Sequence, residues 1–440
     1  MFCKFQSLWI LIGSFILVSL FPAISQAEPA VPAFYQAVIQ MKADGRLGQV
    51  IKKVPVKTQV PGAQAWRIAY ISSDVQGRKT ISTGLVMAPI GKAPVGGRPL
   101  LVWAHGTTGT AQNCGPSQID NPAQSLNQYF LINGNSWTDY GLPSIEHFIK
   151  QGYVVVATDY QGLGGGGKHQ YAVSATNARD AINSARAAAT ISELGAGSKA
   201  VMYGWSQGGG STLAAAGLNK YITQAGTAKD GIEFLGFVAL APLDLVAAIP
   251  PGKLNDESAQ KLLMGLEESF GGNVFNFAHF AMAMWGSTNA FSNIQLSNIF
   301  TDEGAKVVDE IMSNKCMHTL ADTLNYNFGA SFKSLLKPQA ENAQAWAEAF
   351  KAGGVSSEKP IAPVIIYWGA ADTVLPPSMG QAYRQKMCQQ GGNVARVQLP
   401  GKQTHFSTPA ASATSYIAWI ADRFAGKEMV SGCISEVVME

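Results

Sequence analysis

Ser206 stands in Gly204-Trp205-Ser206-Gln207-Gly208, a G-x-S-x-G spacing that can hold a serine hydroxyl on a sharp turn as a nucleophile. Glycine is abundant in this chain, 46 of 440 residues, so the spacing alone carries little and its context must decide. Residues 200–205 read as a β-strand and residues 209–216 as the start of a helix, which puts Ser206 at a strand-to-helix turn. Gly204 and Gly208 lack the Cβ that would obstruct so tight a turn, and Gly209 and Gly210 would let the helix pack closely. A plain glycine-rich connection is the competing reading.

A serine hydroxyl is a weak nucleophile, so it needs a histidine to take its proton and an acid to orient that histidine. Of the six histidines, His405 is the best placed, in the loop Gly401-Lys402-Gln403-Thr404-His405-Phe406 between the last strand and the last helix. Two acids compete for the third role. Asp372 follows the strand immediately before that of the histidine, and Asp244 follows the strand at residues 234–240, where it reads better as a helix cap. The negative charge that develops on the attacked carbonyl oxygen needs two backbone donors. The amide of Gln207 is one, and the loop His105-Gly106-Thr107-Thr108-Gly109 offers the amide of Thr107 as the other. His105 itself reads as a residue that holds this loop.

These residues need a scaffold that brings them together. Short apolar runs at residues 84–90, 99–104, 153–159, 200–205, 234–240, 363–368 and 395–399 alternate with helical patterns at 144–151, 177–194, 206–218, 378–390 and 411–424. Near-continuous apolar strands suit a parallel sheet covered on both faces, and the alternation predicts a doubly wound α/β fold. About 110 residues between Asp244 and Pro363 break the rhythm with helical spacings such as Leu262, Leu263 and Leu266. They are too many and too apolar for a loop, so the spacing predicts an inserted helical subdomain.

Lys4, the apolar run of residues 8–21 and Ser25-Gln26-Ala27 have the layout of a signal peptide ending at residue 27. The expectation is a soluble chain beginning near Glu28, without an integral membrane segment, secreted or periplasmic. The remaining 31 basic and 29 acidic residues give no sign of nucleic-acid binding. No ligand spacing for a metal is present, and no cofactor is expected. Residues 162–168, Gly-Leu-Gly-Gly-Gly-Gly-Lys, imitate phosphate-binding patterns, but His169 stands where such a loop needs Ser or Thr. The next predicted helix starts too far on, so this stretch reads as a mobile loop near the mouth of the site.

The motifs His105-Gly106-Thr107-Thr108-Gly109, Asp159-Tyr160-Gln161-Gly162-Leu163-Gly164 and Gly204-Trp205-Ser206-Gln207-Gly208, followed by Asp372 and His405, together resemble the secretory lipase family, α/β-hydrolases of the Candida lipase A type. The resemblance runs from about residue 60 to 435, with the elbow and the Asp-Tyr-x-Gly-Leu-Gly stretch as its most specific parts. It implies an α/β-hydrolase core at residues 28–245 and 358–440, a helical cap at 246–357, and hydrolysis of ester or lipid substrates by Ser206, Asp372 and His405. The four cysteines after residue 27 allow three pairings. Bridges placed as in related lipases would be Cys114–Cys316 and Cys388–Cys433.

Within the cap, Phe277, Phe280, Met284 and Trp285 fall at spacings of three, four and one and predict one apolar face for the acyl chain. The plainer alternative is that this face packs the interior of the cap. A serine peptidase or acyltransferase would share the same triad, and a non-catalytic binding protein would be expected to lack part of it. Acyl length and oligomeric state are not encoded in any motif.

Overall fold

The apolar runs become the inner strands of one ten-stranded sheet because both faces of it are covered. In the computed structural model, which describes residues 32–249, 254–429, 432–434 and 436–439, the strands are β1 (Val50–Val56), β2 (Ala63–Ser73), β3 (Lys79–Pro89), β4 (Arg98–Ala104), β5 (Val154–Thr158), β6 (Ala196–Trp205), β7 (Glu233–Leu240), β8 (Val364–Trp368), β9 (Val394–Gln398) and β10 (Val437–Val438). The proposed signal peptide lies outside the described residues. The spatial order is β1-β2-β3-β5-β4-β6-β7-β8-β9-β10, antiparallel from β1 to β5 and parallel from there to β10. This is the mostly parallel, doubly wound α/β-hydrolase arrangement.

Alternate residues of each inner strand feed two cores. Leu100, Val102, Ala200, Met202, Phe237 and Ala239 face the helices Ser174–Thr190, Gln207–Ala216 and Ser378–Gln389. Leu101, Trp103, Val201, Tyr203, Val238 and Leu240 face the helices Ile145–Lys150 and Ala413–Phe424. A strand buried on both faces keeps no polar side for water, hence the unbroken apolar runs. β1 and β2 escape a pattern search: β1 carries Lys52, Lys53 and Pro55 on a sheet edge, and its residues are only half-buried or exposed.

From Pro32 onward the chain forms one compact unit. Between β7 and β8 lie the helices Asp256–Phe270, Val274–Ala290, Asp302–Asn314, Met317–Phe328 and Ala343–Gly353. Their apolar residues share one continuous core with Tyr171, Leu243 and Leu375. No helix among the described residues is long and apolar enough to cross a membrane.

Both disulfides have the expected pairing, with Cα–Cα distances of 5.4 Å for Cys114–Cys316 and 5.7 Å for Cys388–Cys433. The first joins the loop after β4 to the start of the Met317–Phe328 helix, where the amide of Met317 also donates to the carbonyl of Thr108 (3.0 Å). A Cβ on Gly109 would come within 2.6 Å of Cys316 Cα, so the approach requires glycine there. The second fastens the C-terminal segment to the Ser378–Gln389 helix.

Candidate active site

β6 ends at Trp205, the Gln207–Ala216 helix begins one residue after Ser206, and Ser206 between them adopts φ 59°, ψ −116°. A positive φ on a side-chain-bearing residue is strained and must be held by its surroundings. Here the amide of Ser206 donates to the carbonyl of Leu240 (2.9 Å), and its own carbonyl accepts from Leu243 (3.0 Å) and Gly210 (3.1 Å). The two glycines of the motif have a steric reason. A Cβ on Gly204 would lie 2.3 Å from the carbonyl oxygen of Gly208, and one on Gly208 would lie 1.9 Å from that of Ala104.

Ser206, His405 and Asp372 meet in one hydrogen-bonded line. Ser206 Oγ is 2.9 Å from His405 Nε2, and His405 Nδ1 is 2.8 Å from Asp372 Oδ2. A carboxylate only accepts, so Nδ1 carries the proton and the Nε2 lone pair faces the serine hydroxyl. Asp372 is aimed by the amides of Val374 and Leu375, both 2.9 Å from its Oδ1. Trp205 Nε1 donates to the carbonyl of His405 (3.1 Å), tying the histidine loop to the strand that carries the elbow. Asp244 lies apart from this line. It caps the turn Leu245–Ala248 by accepting from the amides of Val246 (3.0 Å) and Ala247 (3.2 Å), and burial pushes its carboxyl up to about 6.

Among the described residues, neither the amide of Gln207 nor that of Thr107 donates to a protein acceptor. Unpaired backbone donors of this kind can serve an oxyanion. The Gln207 side chain is fixed by residues that sequence reasoning missed. Its Nε2 donates to Asn177 Oδ1 and to His169 Nε2, both at 3.1 Å, while His169 Nδ1 donates to the carbonyl of Gln161 (2.7 Å). Burial pushes His169 down to about 3, so it stays neutral and can accept. Its one signal in the sequence was that it spoils a phosphate-binding pattern. Thr107 Oγ1 is 2.8 Å from the hydroxyl of Tyr171, another unforeseen partner.

His105 makes no bond to Ser206. Its Nδ1 is 2.6 Å from the carbonyl of Gly106, its ring packs on Tyr160, and burial pushes it down to about 4, as befits a residue that holds the loop. The glycine run is anchored at one end and exposed at the other: residues 161–165 are buried, Gly167 and Lys168 are exposed, and Gln112 Oε1 accepts from the amides of Gly164 (3.3 Å) and Gly166 (3.0 Å). Among the described residues no cluster of three or more His, Cys, Asp or Glu side chains converges as a metal site would.

Above Ser206 lies an apolar cavity of about 10 Å³, room for about one water molecule. The Val274–Ala290 helix contributes His279, Phe280, Ala283 and Met284 to its wall. Two of the four expected acyl-site residues, Phe280 and Met284, are thus at the cavity, while Phe277 and Trp285 are not. Phe277 packs on Phe332 (ring centroids 4.8 Å apart) in the core of the helices between β7 and β8, and Trp285 Nε1 donates to Asp309 (2.8 Å) with Lys168 over its ring. The helix is buried nearly all round, so its own periodicity could not say which stripe meets the cavity.

Asp139 is buried, and burial pushes its carboxyl up to about 7 against the pull of the Tyr129 amide (2.7 Å). Its folded value exceeds an unfolded value of about 3.9, so the folded state holds the proton more tightly. The contribution to stability is therefore full below about pH 4 and is lost as pH rises through about 7. Melting temperatures at pH 5 and pH 8 are expected to differ more in the wild type than in Asp139→Asn. Equal pH dependence in the two proteins would contradict this reading of Asp139.

A family model described as secretory lipase matches residues 133–225 and 269–432, more than half of the chain. Lipase 4 of Candida albicans is 25% identical over 395 residues, 86% of this chain and 76% of that protein. The secreted triacylglycerol lipase LIP7 of Malassezia globosa is 32% identical over 92 residues, 21% of this chain and 20% of its own. Among solved structures, Candida antarctica lipase A matches with a TM-score of 0.67 at 16% identity, over 93% of this chain and 87% of that one. The rice cell wall degrading esterase LipA of Xanthomonas oryzae matches at 0.64 and 16% identity, over 87% and 100% respectively. At those identities the solved structures establish the shared fold.

Proposed function

Because the chain belongs to the secretory lipase family and is a lipase or esterase, we propose that it is exported and that it hydrolyses carboxylic esters through Ser206, His405 and Asp372 by way of an acyl-enzyme. The observation that carries this reading is the line of two hydrogen bonds, 2.9 and 2.8 Å, from Ser206 through His405 to Asp372. His405 Nε2 takes the proton as Ser206 Oγ attacks the ester carbonyl, and Asp372 stabilises the imidazolium that forms. The amides of Gln207 and Thr107 receive the oxyanion. On collapse the alcohol leaves with the proton from His405, and water then repeats the sequence to free the acid. Two disulfides in so large a chain accord with an oxidising compartment.

A cavity of about 10 Å³ cannot hold an acyl chain, so substrate entry requires its walls to part, among them the helices Asp256–Phe270 and Val274–Ala290 of the proposed cap, residues 246–357. Phe280 and Met284 would then line the acyl path, with the thioether adapting to chains of different shape. Each buried methylene contributes about 0.8 kcal/mol, enough for this wall to set length preference. Phe280→Ala or Met284→Ala is expected to shift the profile over p-nitrophenyl esters from acetate to palmitate while acetate turnover stays near wild type. Phe277→Ala, emptying the cap interior, is expected instead to lower the melting temperature. Equal loss on every ester from Phe280→Ala and Met284→Ala would make those two residues packing alone. The same panel set against peptide amides tests the overall reading: preference for amides would favour the peptidase alternative.

A further inference from the structure

We propose that residues 129–137 form a docking surface for the uncharged surface of an aggregated neutral ester, placed so that docking brings the mouth of the site to its substrate. The occupant rests on the ester-hydrolase reading above. Tyr129, Phe130, Leu131 and Trp137 each leave more than a third of their surface exposed, and Ile132 is fully exposed at 108%. No other described segment gathers as many large exposed apolar side chains. Scattered apolar residues on a surface are ordinary, but a contiguous group marks a contact.

This tip is held out by polar bonds at its base. Asn127 and Tyr140 exchange backbone hydrogen bonds (2.9 and 3.1 Å), the amide of Gly134 donates to the carbonyl of Leu131 (2.8 Å), and Asp139 fixes Tyr129. Behind the tip aromatic rings pack toward the histidine loop of the site. The ring of Phe130 lies 5.0 Å from that of Phe275 in the cap and 4.6 Å from that of Phe406, the residue after His405.

Charge and area choose the occupant. From residue 121 to 144 the sole charged side chain is Asp139, and it is buried, so the tip has nothing to attract an anionic membrane. Protein interfaces carry a polar rim and about 800 Å² per partner. Four of the five side chains here are only 36–41% exposed, too little area for a stable dimer. Tyr and Trp at the flanks suit a boundary that is apolar on one side and wet on the other.

The test uses the full chain with Leu131→Ser and Ile132→Ser combined, two side chains outside the catalytic machinery. With tributyrin droplets as the probe, adsorption and droplet turnover are expected to fall about tenfold or more, since the fully exposed Ile132 loses apolar burial worth about that factor and Leu131 adds a smaller share. Turnover of dissolved p-nitrophenyl acetate is expected to stay within about twofold, which also shows that the variant is folded. Ser206→Ala, which silences the proposed chemistry, should still adsorb as the wild type does, so adsorption reads the surface even if the proposed reaction is wrong. Unchanged droplet adsorption in the double variant would overturn the proposal. A wild type that sediments as a dimer and is converted to monomer by the double variant would overturn it too, in favour of a second copy.

Discussion

Ser206→Ala is expected to lower kcat for ester hydrolysis by about 10⁶, leaving only what substrate binding and the oxyanion donors supply. His405→Ala should cost about as much, and the double variant little more, because nucleophile and base act as one unit. The loss should come without unfolding. Ser206 Oγ engages only His405, the backbone of Ser206 is held by bonds to Leu240, Leu243 and Gly210, and the carbonyl of His405 accepts from Trp205 Nε1, all of which alanine keeps. Far-ultraviolet circular dichroism and the melting temperature should therefore remain close to wild type. A Ser206→Ala protein with more than about a hundredth of wild-type kcat would remove Ser206 from the role of nucleophile.

Asp372→Asn is expected to lower kcat by about 10⁴ while the geometry is preserved. An amide nitrogen at that position donates toward His405 Nδ1, so the proton is driven to Nε2 and the lone pair no longer faces Ser206. Asp244→Asn should leave kcat near wild type, since its Oδ1 accepts from the amides of Val246 and Ala247 and the side chain bonds to no histidine. Near-normal turnover in Asp372→Asn together with collapse in Asp244→Asn would reverse the assignment of the acid.

The inner sheet and the turn at Ser206 are legible because each leaves a local mark, whereas Asp372 and His405 are singled out only by the order of strands and loops. Strands buried on both faces read as unbroken apolar runs, and a serine at positive φ demands glycine at 204 and 208, where a side chain would strike backbone. What stayed hidden depends on contacts between distant segments. His169 and Asn177 fix Gln207 from 38 and 30 residues away, through hydrogen bonds that no periodicity announces. On the Val274–Ala290 helix the cavity stripe is His279, Phe280, Ala283 and Met284. The spacing of three, four and one predicts a stripe that also takes in Phe277 and Trp285, because a helix buried nearly all round has apolar residues on every face. There Phe332 claimed the first and Asp309 the second. β10, two residues long, is set by its pairing with β9 beside the Cys388–Cys433 bridge rather than by its own sequence.

The most direct test of the central claim is covalent labelling with a fluorophosphonate, followed by peptide mapping. The geometry predicts one label per chain, on Ser206, formed in the wild type and lost in His405→Ala, because the hydroxyl attacks only when the imidazole lone pair 2.9 Å away takes its proton. Ester hydrolysis by a chain that takes no label, or takes it on a different serine, would contradict the account.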